Sequence, residues 1–269
     1  MAIKTERVQY GEDGGYLAWP ERAAAPLPAV LVIQEAWGVD DHIEDVARRF
    51  AGAGYAALAP DLYAHGGGRP APFSRERMAA FQAFMNSLPP QAWGDPRARE
   101  AALANLPEKE RAEVGETYGL LFGAGLQPQR WIEPLLAGSR FAREQCALTR
   151  GRKVGSVGFC MGGGLSAFLA CSDPGLSAAV VFYGSAPPAE KIAQIRCPVL
   201  GLYGGKDARV NAGIPGFEQA MKAAGKRFEH HVYEGAQHAF FNDGRPSYDA
   251  DAARDAFVRT LEFFRSALV

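Results

Sequence analysis

The sequence contains no long hydrophobic run. Nowhere in its 269 residues do about 18 apolar residues follow one another, as a membrane-spanning helix requires. The first residues, from Met1 to Arg7, also lack the apolar core of a secretory signal. We therefore expect a soluble protein that is neither inserted into a membrane nor exported, and we predict a cytoplasmic location.

The sequence also has little excess charge of either sign. Its 29 lysines and arginines nearly balance its 30 aspartates and glutamates, which gives a formal net charge of −1. This balance provides no basic field for nucleic acid and no polybasic patch for a membrane surface. We therefore expect neither nucleic acid nor a membrane as a partner, and we expect a monomer or a small homo-oligomer.

Cysteine is scarce, with four residues in the chain. They are Cys146, Cys160, Cys171 and Cys197, and no two of them form a C-x-x-C pair or have the spacing of zinc ligands. In a chain of this size without an export signal, such cysteines are expected to be reduced thiols. The sequence therefore predicts neither a disulfide framework nor a metal site.

Short apolar runs alternate with helical patterns along most of the chain. The runs that predict strands are 29–33, 55–59, 153–157, 178–183, 199–203 and 228–233. The patterns that predict helices include 43–50, 162–171, 215–224 and 251–268. Strands that alternate with helices predict right-handed crossovers and a mainly parallel sheet covered on both faces. A glycine-rich break at residues 11–15 adds an N-terminal antiparallel hairpin over residues 5–19.

Residues 88–128 do not follow this alternation. They are rich in proline and glycine and show modest helical patterns at 97–104 and 108–120. A stretch of this length without a strand is commonly a lid or a binding segment of a compact domain. We therefore predict one α/β domain over residues 1–269, with 88–128 either as a helical insertion on the outside or as a lid.

A nucleophile elbow is predicted where residues 158–163 read Gly-Phe-Cys-Met-Gly-Gly. The segment follows a predicted strand, opens a helix and places Cys160 in the nucleophile position of G-x-nucleophile-x-G. Such a tight reversal strains the backbone of its central residue and requires small neighbours. It would hold the thiol at a helix N-terminus, where the macrodipole favours a thiolate. The alternative is a buried structural cysteine beside a glycine-rich helix start.

Asp207 and His238 follow the elbow in the order that this fold requires, with the acid before the histidine. Each comes after a predicted strand, at the end where open α/β sheets build their sites. Taken singly, Asp207 could be a turn residue and His238 a surface histidine, but together they predict a triad with Cys160. Glu35 comes two residues after the end of strand 29–33 and points to the same edge, with a turn or capping acid as its alternative.

These segments resemble the dienelactone hydrolase (carboxymethylenebutenolidase) family of α/β-hydrolases. The matching segments are Gln34-Glu35 with Gly38, Pro60-Asp61-Leu62-Tyr63, the elbow at 158–163, Asp207, and Gly235-Ala236-Gln237-His238. The resemblance implies an α/β-hydrolase fold and a triad of Cys160, His238 and Asp207, with Glu35 as a fourth member. It also implies that neither a metal nor a cofactor takes part.

The reaction that the resemblance implies opens an enol lactone, or cleaves a small activated ester, through a thioester on Cys160. The thiol donates to Glu35 at rest, and substrate binding moves the proton to Glu35, leaving a thiolate beside protonated His238. The backbone N–H groups of Met161 and Ala36 would hold the oxyanion. The partner implied is therefore a small lactone or ester.

The substrate site departs from the family pattern at two positions. After the catalytic histidine the family has Ser and, three residues later, Arg, whereas this sequence has Ala239 and Asn242. A second substrate-binding arginine corresponds to Arg77, four residues before Phe81, although Arg77 could also be a solvated helix residue. With one of two anion-binding arginines replaced, the natural substrate stays open. A broader carboxylesterase or thioesterase and a non-catalytic ligand-binding protein are the alternatives.

Overall fold

The computed structural model describes residues 2–22, 26–89, 92, 95–123 and 128–269. The chain forms two compact units, of which the first comprises Met1–Leu62 and Pro128–Val269 and the second Tyr63–Gln127. The second unit thus begins well before residue 88, where the sequence predicts the end of the alternation. Within the 88–128 segment, residues 90, 91, 93, 94 and 124–127 lie outside the described residues.

The first unit is built on one eight-stranded sheet with the strand order β1-β2-β4-β3-β5-β6-β7-β8. The strands are β1 Ile3–Tyr10, β2 Asp13–Pro20, β3 Ala29–Ile33, β4 Ala56–Pro60, β5 Val154–Phe159, β6 Ala178–Phe182, β7 Val199–Gly204 and β8 Phe228–Tyr233. β1 and β2 form the predicted hairpin, and β2 pairs antiparallel with β4. All other pairs are parallel, so the mainly parallel sheet is confirmed.

Helices occur in both units. They are α1 Asp41–Gly52, α2 Arg75–Ser87, α3 Pro96–Leu103, α4 Glu108–Phe122, α5 Ile132–Arg140, α6 Met161–Ser172, α7 Ala208–Asn211, α8 Ile214–Ala223 and α9 Ala250–Leu268. No helix among the described residues is long and apolar enough to cross a membrane. The cytoplasmic location stays a prediction.

The central strands are buried along their whole length, because helices cover both faces of the sheet. Every residue of β3 to β7 is buried. Since side chains alternate between the two faces of a strand, a strand buried at each position needs packing on both sides. On one face α1 and α9 meet, where the rings of Phe50 and Phe264 lie 5.9 Å apart. The α/β architecture expected from the sequence is confirmed.

The chain after β8 is fixed to the sheet by two phenylalanines. Phe240 and Phe241 are fully buried, and the ring of Phe241 stacks on Phe159 at a centroid distance of 5.3 Å. The same ring lies 4.8 Å from Phe182 at the end of β6. These contacts hold the loop that contains His238 against the carboxyl ends of β5 and β6.

The second unit is a small helical assembly. Phe81 of α2 is fully buried, with its ring 6.4 Å from Tyr118 and 6.3 Å from Phe122 of α4. α3 has no buried residue. The helical patterns at 97–104 and 108–120 are therefore confirmed as helices, whereas the lid role of this region and the single-domain organisation stay predictions.

Candidate active site

Cys160 lies in a tight turn between β5 and α6. Its backbone has φ 54° and ψ −113°, in a region that residues other than glycine rarely adopt. The turn leaves no room for side chains beside it, because a Cβ on Gly158 would lie 1.8 Å from the carbonyl oxygen of Gly162. A Cβ on Gly162 would lie 2.4 Å from the carbonyl oxygen of Gln34, at the end of β3. The chain therefore has the strained strand–turn–helix geometry that exposes a nucleophile.

His238 lies between Cys160 and Asp207. Its Nδ1 is 2.5 Å from Asp207 Oδ2, and the Cys160 side chain is close enough to act on the charge of its ring. Asp207 is buried and also accepts the Val210 N–H through Oδ1, so the carboxylate both begins α7 and orients the imidazole. The turn role considered for Asp207 and its place beside His238 are thus compatible.

The loops that contain Asp207 and His238 approach each other closely. The Lys206 N–H donates to the carbonyl of Ala236 at 2.9 Å. A Cβ on Gly204 would lie 2.5 Å from the carbonyl oxygen of Gln237, so the close approach requires glycine there. The ends of β7 and β8 therefore bring the acid and the histidine together without a long side chain.

His238 is a strong base in this environment. Burial alone would lower its pKa, but the negative charge of Cys160 and the hydrogen bonds that the protonated ring donates to Asp207 and Cys160 raise the pKa to about 10. The imidazole is thus protonated at neutral pH when it faces a thiolate. A cation beside the sulfur stabilises the thiolate, which is the nucleophilic form of cysteine.

Cys160 differs from the other three cysteines in exposure. Cys146, Cys171 and Cys197 are buried, whereas Cys160 is half-buried. Burial raises the pKa of Cys171 to about 11 and that of Cys197 to about 12, which disfavours their thiolates. Cys160 is thus the thiol that combines access with a basic partner.

Glu35 is buried at the end of β3, with 1% of its surface exposed. Its Oε2 accepts a hydrogen bond of 2.8 Å from the side-chain amide of Asn242. The capping role considered for Glu35 is filled by another residue, since Asp40 caps α1 by accepting the Ile43 N–H. The Asn242 contact was not predicted from the sequence, although Asn242 occupies the position where the family pattern has an arginine.

The groups expected to bind an oxyanion lie at the same edge of the sheet. Met161 is the first residue of α6, so its N–H belongs to the turn whose amides have no acceptor within the helix. Ala36 is buried in the turn that follows β3. The first turn of α6 packs on the end of β3 through Gly162. The oxyanion role of both N–H groups stays a prediction.

Arg77 lies on α2 in the second unit, where α4 binds its guanidinium. Its Nη2 donates to the Glu113 carbonyl at 2.8 Å, to Glu116 Oε2 at 2.7 Å and to Thr117 Oγ1 at 3.4 Å. The side chain is 17% exposed, so Arg77 is not the solvated residue that the alternative supposed. Its role toward a substrate stays a prediction.

No three histidine, cysteine, aspartate or glutamate side chains are arranged to hold a metal ion in the part of the chain that the structure describes.

Tyr183, which directly follows β6, is a residue of this region that the sequence reasoning missed. Its ring meets that of His238 edge-on at 5.1 Å, and its own burial is nearly complete. A single tyrosine after an apolar strand does not indicate, from sequence alone, that its ring will lie beside His238.

The mainly parallel sheet, the elbow after β5 and the histidine loop after β8 define an α/β-hydrolase. The profile of the Dienelactone hydrolase family matches residues 14–268, and the chain therefore belongs to that family. Its members hydrolyse carboxylic esters, and this chain is an ester hydrolase of that class.

Similar proteins extend over almost the whole chain. A protein of Saccharolobus solfataricus named "Putative carboxymethylenebutenolidase" is 38% identical over 265 residues, covering 97% of this chain and 98% of its own. An Escherichia coli protein of the same name is 30% identical, covering 93% of this chain and 81% of its own. The crystal structure of a "Putative Dienelactone Hydrolase" from Klebsiella pneumoniae superposes with a TM-score of 0.71 at 28% identity, covering 98% of this chain and 99% of its own.

Proposed function

We propose that this chain is a cysteine-dependent hydrolase that opens lactone rings or cleaves small activated esters through a thioester on Cys160. The observation that carries the proposal is the line of side chains from Cys160 through His238 to Asp207 at the carboxyl ends of three strands. Nucleophilic catalysis by cysteine needs a thiol, a neighbouring base and a group that orients the base. The proposed mechanism uses neither a metal nor a cofactor.

The first step forms the thiolate. The family resemblance implies a resting Cys160 thiol that donates to Glu35, whereas in the described part of the structure Glu35 Oε1 has no hydrogen-bond partner and Cys160 lies beside His238. In the proposed step, substrate binding moves the thiol proton from Cys160 to Glu35. The S–H bond breaks, an O–H bond forms on Glu35, and the sulfur keeps the electron pair beside protonated His238. The position of Glu35 supports this step, because the first turn of α6 packs on the end of β3, two residues before Glu35.

The thiolate then attacks the carbonyl carbon of the substrate. As the C–S bond forms, the carbonyl electrons move to oxygen, and the N–H groups of Met161 and Ala36 donate to the resulting oxyanion. When the carbonyl re-forms, the C–O bond of the lactone breaks and the oxygen leaves as an enolate. The enolate can leave without first being protonated, whereas the amine of an amide has to be protonated as it leaves.

Hydrolysis of the thioester completes the cycle. Water attacks the thioester carbonyl, its proton passes to His238 or to the enolate, and the sulfur of Cys160 leaves as the thiolate. His238 can accept this proton only after it has given its own proton to the enolate. The enolate therefore gains one proton by either route, and His238 ends the cycle protonated. The acid product then leaves and Glu35 returns its proton.

We propose an enol lactone of the dienelactone type as the substrate, opened to a maleylacetate-type product. The support is the name of the relatives, carboxymethylenebutenolidase, together with the sequence match over nearly all of this chain. Arg77 would contribute a cation for the carboxylate of such a substrate.

A second candidate is a broader carboxylesterase or thioesterase. It is favoured by two contacts: Asn242, a neutral residue, binds Glu35, and the guanidinium of Arg77 is bound by α4. With a neutral residue at position 242 and the Arg77 guanidinium held by α4, neither residue is committed to the carboxylate of a substrate, so neutral acyl substrates are candidates as well as anionic ones.

The test measures kcat/KM for cis- and trans-dienelactone and for p-nitrophenyl acetate, before and after alkylation of the protein with iodoacetamide. We expect turnover of all three and its loss in proportion to the adduct on Cys160. Cys171→Ala serves as the control, since Cys171 is a buried thiol, and should keep its activity. Turnover that survives complete alkylation of Cys160 would contradict the proposal, and turnover of the neutral ester alone would favour the second candidate.

A further inference from the structure

Tyr183 occupies a strained position at the carboxyl end of β6. Its backbone has φ 38°, a left-handed value that is costly for a bulky aromatic residue. The next residue packs tightly on α6, since a Cβ on Gly184 would lie 2.3 Å from the backbone nitrogen of Gly164. The ring is 1% exposed and meets that of His238 at 5.1 Å. The fold thus keeps a strained tyrosine against the proposed base.

The hydroxyl of Tyr183 and one oxygen of Glu35 are both buried without a well-formed hydrogen bond. In the part of the chain that the structure describes, neither Tyr183 Oη nor Glu35 Oε1 has a partner of favourable geometry. Burial, and then the negative charges of Glu35 and Cys160, raise the pKa of the Tyr183 hydroxyl well above its usual value. The hydroxyl is thus a donor that keeps its proton and lies near both groups. Buried polar groups are ordinarily hydrogen-bonded, so a buried donor near a buried acceptor, each without a partner among the described residues, calls for an explanation.

The other oxygen of Glu35 is bound by Asn242, which is itself 1% exposed. The Asn242 side chain is also fixed on its other side, because its Oδ1 accepts the Gly244 N–H at 3.0 Å. The amide therefore cannot turn away from Glu35 without breaking the turn. Tyr183 and Asn242 are both neutral, so the carboxylate depends on hydrogen bonds from uncharged donors.

Four charged or titratable groups surround this set. Asp40, in the loop before α1, is close enough that the charge of Glu35 adds to burial in raising the pKa of Asp40. Cys160 and His238 face it from the elbow and from the loop after β8. Arg245 packs over the Trp37 ring at 5.4 Å, and its charge acts on Tyr183. Any pH dependence measured at Cys160 includes these groups, so the test needs a variant that isolates Glu35.

We infer that Tyr183 is a positioning residue whose hydroxyl donates to the charged form of Glu35 and, together with Asn242, controls how readily the proton of Cys160 passes to that carboxylate. The inference rests on the proposed function, in which Glu35 exchanges this proton. Tyr183 keeps its own proton throughout: the S–H bond breaks, the O–H bond forms on Glu35, and the hydrogen bond from the tyrosine weakens as the carboxylate becomes neutral.

The sign of the effect follows from this arrangement. Loss of the Tyr183 hydroxyl removes a donor from the charged carboxylate and so favours the state with protonated Glu35 and a Cys160 thiolate. Tyr183→Phe should therefore make Cys160 more reactive, not less. Loss of one hydrogen bond to a charged group should change the equilibrium of proton transfer from Cys160 to Glu35 by about tenfold or somewhat more.

The experiment measures the rate of Cys160 alkylation by iodoacetamide against pH, with the adduct located by peptide mass. Tyr183→Phe should alkylate about tenfold faster than the unchanged protein at neutral pH and extend its reactivity to lower pH. The matched control is Tyr203→Phe, since Tyr203 is a second tyrosine that is 1% exposed at a strand end and whose pKa is raised by burial alone. This control should follow the curve of the unchanged protein.

The decisive comparison repeats Tyr183→Phe in a Glu35→Gln background. If Tyr183 acts through Glu35, the substitution should then change the alkylation rate less than about twofold. The inference would be overturned if Tyr183→Phe changed the alkylation rate equally in the unchanged protein and in Glu35→Gln. It would also be overturned if Tyr183→Phe had no effect on the rate in the unchanged protein. Should Tyr183→Phe fail to fold, Asn242→Ala removes the other donor and should give the same acceleration with the same dependence on Glu35.

Alkylation needs no substrate, so this result is separate from the proposed function. A protein that shows the Glu35-dependent acceleration but hydrolyses no lactone or ester would keep the inference and overturn the function. The reverse outcome would keep the function and remove Tyr183 from it.

Discussion

The strand ends of the first unit and the α2–α4 pair of the second unit both contain a partly buried cationic side chain, but the two side chains have different kinds of hydrogen-bond partner. His238 hydrogen-bonds to Asp207 and Cys160, groups that can themselves exchange protons. Arg77 is bound by a backbone carbonyl, a hydroxyl and the carboxylate of Glu116. The first arrangement couples protonation to a nucleophile, whereas the second mainly links two helices. Burial of charge alone therefore does not identify a catalytic group.

The largest expected effect is that of Cys160→Ala, which removes the nucleophile from the first region. We expect kcat for p-nitrophenyl acetate to fall by roughly a thousandfold or more, because removal of one member of a catalytic triad has effects of this order. Cys197→Ala is the matched control, since Cys197 is a buried thiol whose pKa is raised by burial. Retention of activity by Cys160→Ala would show that the strand-end side chains are structural, as in the second region.

Asp207→Asn should have the next largest effect. With the carboxylate gone, the pKa of His238 should fall from about 10, because one of the interactions that raise it is removed. The imidazole would also lose its orientation, so we expect kcat/KM to fall by roughly a hundredfold or more. NMR titration of the His238 ring measures the pKa directly. Asp243→Asn, which changes an exposed carboxylate bound to Arg49, should leave both quantities unaltered.

Glu35→Gln should have a smaller effect that depends on pH. The group proposed to take the thiol proton is then absent, so we expect kcat/KM to fall by roughly tenfold and its acidic limb to change shape. Asp41→Asn, on the exposed side of α1, is the control. The same pH profile and the same rates in Glu35→Gln would show that Glu35 is a structural acid at the end of β3.

The smallest effect is expected at Arg77. If Arg77 binds the carboxylate of the substrate, Arg77→Ala should lower the ratio of kcat/KM for dienelactone to kcat/KM for p-nitrophenyl acetate. We expect a fall of about tenfold, which is the lower end for the loss of one charge-assisted hydrogen bond. Arg99→Ala is the control, since Arg99 packs over Tyr118 of α4 in the same unit at 4.0 Å. An unchanged ratio would restrict Arg77 to linking α2 and α4 and would favour the broader esterase.

Much of the first unit could be predicted because its signals are local. Each of the six predicted parallel strands lies within two residues of the observed bounds, since an apolar run between turn residues fixes a strand buried on both faces. The elbow at Cys160 could be predicted because the glycines that the turn requires are adjacent in sequence. Asp207 and His238 could be placed because parallel strands bring their carboxyl ends together.

The rest depends on contacts between distant segments. The Asn242–Glu35 hydrogen bond joins residues far apart in the sequence, and asparagine is ordinarily a turn residue. Tyr183 belongs to the site only because β6 ends beside the elbow. The α4 contacts of Arg77 and the start of the second unit at Tyr63 likewise follow from tertiary packing. Periodicity and motif spacing carry no information about such contacts.

The central claim is that Cys160 becomes acylated during turnover. The direct measurement is rapid acid quenching of the protein during hydrolysis of p-nitrophenyl acetate, followed by peptide mass analysis. The account predicts one acetyl group, on the sulfur of Cys160, which is lost on treatment with hydroxylamine and does not form after alkylation of that thiol. Steady hydrolysis with no acetyl group on Cys160, or with the acetyl group on another residue, would contradict it.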